Sequence, residues 1–260
     1  MNKYIHIARA NFINNLMYLQ DVIWSSAFIA IIIFIFFNLW TVIFGSNQYI
    51  AGFTIVMMLW YLVMTESIVT AQSQVLEDIG EEMITGNIAN YLNKPYSYIF
   101  YKYSYSIGRS IIKFLITFIM CGIVVFLLLG PLNINLIYIP CILLIVLLAM
   151  TLNFVIMAFL GVFAFWLEDA KGLEFLYSKI VFTLGGMLVP LDIFPQWLHT
   201  ICLYLPFSYI AYYPAKLFVG FGFILFFQIL IVEIAWIAAF ALLTALVYKY
   251  CIRRVSINGG

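Results

Sequence analysis

Long uninterrupted apolar runs set the main constraint on this chain. A membrane-spanning helix needs about 20 consecutive apolar residues. Such runs fall near residues 22–44, 50–71, 107–130, 135–166, 176–191 and 223–248. Composition rules out hiding them in a soluble core. Hydrophobic residues make up 66% of the 260, charged residues 9%, and the mean hydropathy is +1.11. A soluble domain carries about a quarter charged residues. The runs therefore predict an all-α integral membrane protein with six transmembrane helices in one domain over 1–260.

Lys and Arg placement gives an orientation. Eleven of the 12 basic residues lie in the N-terminal segment, in or beside the breaks after the second and fourth runs, and in the tail. Only Lys216 lies in the alternate breaks. Six crossings with this bias put both termini in the cytoplasm. No cleavable secretory signal is read before the first run, which serves as the targeting segment. The net charge of +1 points to no nucleic-acid partner. The four cysteines, Cys121, Cys141, Cys202 and Cys251, are too scattered for a metal site or disulfide framework.

Three segments outside the runs carry information. In residues 1–20, Tyr4, Ala8, Phe12, Leu16 and Leu19 recur at helical spacing, which predicts a helix lying in the cytoplasmic interface. The cytoplasmic segment 72–102 holds Glu77, Asp78, Glu81 and Glu82 opposite Val75, Leu76, Ile79, Met83 and Ile84. That is an amphipathic acidic helix, broken at Gly86 and ended at Pro95. It suits a groove on a cytoplasmic protein, or else it is a solvated charged connection. The segment 185–210 carries Pro190 and Pro195 around a turn, then Trp197, Leu198, Ile201 and Leu205 on one stripe. It is too short to cross and too apolar for water, so a re-entrant helix on the outer side is expected.

Ionisable groups inside spans are functional candidates. Glu66 lies in the second run and Glu233 midway along the sixth. Each is either a pathway residue or a carboxyl bonded to a neighbouring helix. His6 and His199 fall on opposite sides and form no catalytic or metal set. No phosphate loop of the form G-x-x-x-x-G-K-[ST] is present, so the chain has no such site for hydrolysing ATP.

Two stretches resemble the ABC-2 type permease family, the membrane subunits of ATP-driven exporters. Glu82-Met83-Ile84-Thr85-Gly86-Asn87-Ile88-Ala89-Asn90-Tyr91-Leu92-Asn93-Lys94-Pro95 is similar to its segment after the coupling helix. Gly186 through Leu198 is similar to its outer Pro-Pro-Trp-Leu segment. The closest likeness is to bacterial permeases encoded as two related subunits with one ATPase. The resemblance implies a type V exporter fold in the bacterial inner membrane. Two permease subunits, as a homo- or heterodimer, would face each other over two ATP-binding subunits that carry ATP and Mg; this chain would bind no cofactor itself. It implies coupling to the ATPase through Val75, Leu76, Glu77, Asp78, Ile79, Glu81, Glu82, Met83 and Gly86. It also implies an outer gate around Pro190, Phe194, Pro195 and Trp197. The acidity of the coupling helix predicts a basic rim on the partner. Against this stands a carrier that works alone, with Glu66 and Glu233 as proton or cation sites; the acidic cytoplasmic helix argues for the exporter. A membrane-embedded enzyme lacks any clustered catalytic set. The exported substrate is not readable.

Overall fold

The computed structural model describes residues 19–258, except 73, 93, 95, 96, 168 and 169. The expected interfacial helix, including Lys3 and Arg9, therefore lies outside the described residues up to 18, as does Pro95. Ten α-helices order the described residues. They are α1 Leu19–Phe44, α2 Ile55–Thr70, α3 Val75–Ile84, α4 Ala89–Leu92, α5 Tyr98–Leu129, α6 Ile139–Leu167, α7 Ala170–Leu184, α8 Gln196–Tyr204, α9 Tyr212–Val219 and α10 Phe223–Asn258. The one extended pairing among the described residues is an isolated bridge between Ile50 and Phe53 in the α1–α2 turn.

Five helical stretches are long and apolar enough to cross a bilayer: 22–44, 55–84, 98–129, 136–164 and 223–251. The second of these takes in α2, which ends at Thr70 after 16 residues, and α3. These match five of the six expected runs. The exception is 176–191. There the helix starts earlier, at Ala170, and stops at Leu184 after 15 residues. At 1.5 Å per residue it is about 22 Å long, short of the roughly 30 Å hydrocarbon core. Gly186 at φ +69° ends the helical path, a conformation glycine adopts without penalty.

The chain nevertheless traverses the bundle between α6 and α10. The ring of Tyr138, just before α6, stacks on Phe221, just before α10, at 4.1 Å. The end of α6 leads to α7, which begins beside α3. Residues 170–221 thus run from one face of the bundle to the other as a composite: α7, a turn and bends at 185–189, the short helices α8 and α9, and two 3-10 turns. The six-helix expectation becomes five candidate crossings, four of them long helices and the second formed by the 16-residue α2 with α3 following it, plus this broken crossing.

Packing follows from side-chain size. α10 lies along α6, and α5 lies against α1 and α2. The core includes Leu59, Leu62, Ile145, Ala149, Leu152 and Ile229, all nearly inaccessible. Ser26 and Thr117 share a buried hydrogen bond of 2.9 Å that ties α1 to α5. Outward faces are apolar as well: Phe28, Ile31 and Ile35 of α1 and Ile224, Ile231 and Leu242 of α10 are exposed. Such faces suit lipid, where exposing leucine costs nothing.

Candidate functional site

The acidic helix forms where its pattern predicts. α3 opens with Glu77 and Asp78 in its first turn, where negative charge meets the positive end of the helix dipole. Its apolar ridge, however, is not free for a partner. Val75, Leu76, Ile79 and Met83 are 0–2% exposed, packed against this chain's own α6 and α7. A Cβ on Gly80 would lie 2.5 Å from the Cβ of Ala170 in α7, and one on Gly161 in α6 would lie 2.8 Å from the Leu76 carbonyl. Amphipathicity indicated that the ridge would be covered, but the cover is intramolecular.

What remains accessible is the acidic edge. Asp78 and Glu81 are exposed, with Ile84, Thr85 and Asn87 beyond them and Gly86 half-buried. Glu82 is already engaged: it accepts from the Lys102 ammonium at 2.7 Å and from the Tyr98 hydroxyl, both on α5. Lys171, at the start of α7, reaches Glu77 at 3.3 Å and Glu81 at 3.7 Å while 74% exposed. Its hydrogen bond with Glu77, reinforced by the two carboxylate charges, raises its pKa. Glu174, one turn further, faces the same cluster. Burial, then the charges of Glu77 and Asp78, raise the pKa of its carboxyl, offset in part by a hydrogen bond from the backbone of Glu77. Like charges and desolvation both favour the neutral acid.

At the other end, the broken crossing is anchored by polar contacts. Asp192 accepts from Lys216 at 2.6 Å and from the Tyr212 hydroxyl at 2.8 Å, and Lys216 also donates to Tyr212 at 2.6 Å. Tyr61 of α2 donates to the Gly186 carbonyl, Thr65 donates to that of Met187 at 2.7 Å, and the Tyr212 amide donates to Gly185 at 3.0 Å. Of the expected gate residues, Pro190 is buried beside this anchor and Phe194 is half-buried; Pro195 precedes α8 and Trp197 points outward, 66% exposed. Between α8, α9 and α10 an open crevice of about 700 Å³ is lined by Tyr204, Tyr209, Tyr213 and Trp236.

The two membrane carboxyls are not brought together. Glu66 is buried near Cys121 of α5, and Glu233 is buried near Tyr209. Neither oxygen of Glu233 has a hydrogen-bond partner among the described residues. No ion pair joins the two carboxyls to any base among the described residues.

The sequence matches the ABC-2 family transporter protein family over residues 28–259. The chain belongs to that family. No curated protein matches it. As an ABC-2 membrane protein it is a permease subunit of an ABC transporter and is not itself the catalytic subunit. Within that frame, α3 is the acidic element between the second and third crossings, and residues 185–219 form the element between the short α7 and α10. Sequence reasoning missed Gly80, Gly161, Asp192 with Lys216, and Tyr61. A glycine inside an amphipathic helix was the available signal for Gly80. Asp192 and Lys216 are the two charged residues between Lys179 and Glu233, and that isolation could have paired them.

Proposed function

We propose that this chain is the permease of an exporter in the bacterial inner membrane, with both termini cytoplasmic. A separate ABC ATP-binding subunit, in two copies carrying ATP and Mg, docks on the exposed acidic edge of α3. A second permease, identical or related, completes the pathway. The observation that carries the docking reading is the split character of α3. Its apolar ridge is consumed inside the chain, while Asp78 and Glu81 stay in water at the end of the bundle where basic residues gather. An edge of this kind recognises a basic rim electrostatically. The outer segment, anchored at Asp192 and Gly186, acts as the gate on the far side.

The coupling surface is thus narrower than the helix. Val75, Leu76, Ile79 and Met83 hold α3 in place, and Glu82 holds α5. Docking rests on Asp78, Glu81 and the residues through Asn87. The test is co-purification with the ATP-binding subunit encoded beside the gene. Asp78→Lys with Glu81→Lys is expected to lose the ATPase while the chain stays folded in the membrane. Retention of the ATPase by that variant counts against docking at this edge. If even the unaltered chain binds no ATPase and moves solute alone under an ion gradient, the carrier reading with Glu66 and Glu233 replaces this one.

A further inference from the structure

The contacts that hold α3 differ in kind from one neighbour to the next. Towards α6 and α7 they are close contacts around small residues, Gly80, Gly161, Ala164 and Ala170, flanked by the apolar side chains of the α3 ridge. Gly80 brings α3 so close to α7 that an added Cβ would meet Ala170 at 2.5 Å, with Ala164 of α6 at 3.2 Å. Gly161 gives the same closeness from the other partner, with Leu76 at 2.8 Å and Ile79 at 3.0 Å. The rim of this contact is tied by charge, through Lys171 to Glu77 and Glu81 and through Glu174 to the first turn of α3. Towards α5 the tie is made by the long side chains of Glu82, Tyr98 and Lys102. Long side chains can follow a moving partner through rotamer changes. A close-packed contact between small residues has little rotamer freedom to absorb a displacement and transmits it.

α7 continues this contact outward. Its last carbonyl-bearing residues lead into Gly185, which accepts from the Tyr212 amide, and Gly186 and Met187, which accept from Tyr61 and Thr65. Tyr212 in turn bonds Asp192 in the outer segment. Resting on the permease reading above, we infer that Gly80 and Gly161 are positioning residues that lock α3 to α6 and α7, so that α7 works as a strut carrying displacement of α3 to the outer segment 185–197. The drive then bypasses α5, to which α3 is joined by side chains.

The experiment uses the full chain co-expressed with its ATP-binding subunit in lipid nanodiscs. Trp197→Cys supplies an outer reporter, since Trp197 is 66% exposed. Its labelling by a polar maleimide is read by mass spectrometry with and without ATP. In the reporter chain, ATP is expected to change the labelling rate several-fold. Gly80→Ala, which drives a methyl into Ala170, is expected to keep the ATPase bound but abolish that change. Gly80→Ala with Ala170→Gly removes the 2.5 Å clash, leaving the 3.2 Å contact with Ala164, and is expected to restore most of it. A Gly80→Ala chain that keeps the full ATP response overturns the inference. So does loss of the ATPase in that variant, or no recovery in the double variant, because either makes the contact a folding element alone. A reporter chain that binds the ATPase but shows no ATP response overturns the strut. Failure of the reporter chain to bind any ATPase instead overturns the permease reading, and the strut with it.

Discussion

The two ends of the molecule each hold a lysine in an ion pair, and they hold it differently. At the inner end, Lys171 spans Glu77 and Glu81 at 3.3 and 3.7 Å, with most of its side chain in water. At the outer end, Lys216 meets Asp192 at 2.6 Å and shares it with Tyr212, with both side chains half-buried. Exposed ion pairs are worth little because water and salt screen them. Shielded ones resist disruption because a lone partner is left stranded. The inner cluster is therefore an exchangeable surface, open to competition by a basic partner, and the outer cluster is a fixed anchor.

Substitutions can break or sharpen this contrast. The largest expected effect is at Asp192. Asp192→Asn leaves the Lys216 ammonium facing a neutral amide and is expected to cost about 2 kcal/mol, read as a lower midpoint of thermal unfolding in detergent. Tyr61→Phe strips the donor from the Gly186 carbonyl and should cost about 1 kcal/mol in the same assay. A Tyr61→Phe protein as stable as its parent would mean the anchor is confined to Asp192.

At the inner end the expected effects are smaller and depend on pH. The pKa of Glu174 is raised in the folded state by burial and by Glu77 and Asp78. A raised acid favours folding below its ordinary pKa and loses that advantage as pH rises through the folded value. Glu174→Gln should therefore raise the unfolding midpoint at pH 7.5, with the gain closing as pH falls towards 4.5, the ordinary carboxyl value. A gain that does not vary with pH would remove the charge explanation. Lys171→Ala, last in order, should leave the midpoint unchanged. A large drop there would make the inner cluster an anchor too and erase the contrast.

Much of the architecture was legible in the chain because lipid imposes so plain a rule. Five apolar runs became five candidate crossings, and the acids at 77–82 marked α3 because their spacing matched a helical face. The fifth run misled for a physical reason. Apolarity reports surroundings, and the surroundings of 176–191 are apolar whether the backbone is helical or, from Gly185 on, bent. The ridge of α3 misled similarly: periodicity shows that Leu76 and Ile79 are covered, without showing whether α6 or another protein covers them. The anchor was harder to read, because Asp192 and Lys216 meet only through the return of the chain at α9, 24 positions on, and their isolation among uncharged residues was the one signal that joined them.

The bonds from Tyr61 and Thr65 end on main-chain carbonyls, at Gly186 and Met187. A carbonyl is present whatever side chain its residue carries. The hold of α2 on the outer segment is therefore written in the backbone, and a substitution at Met187 leaves the acceptor for Thr65 in place.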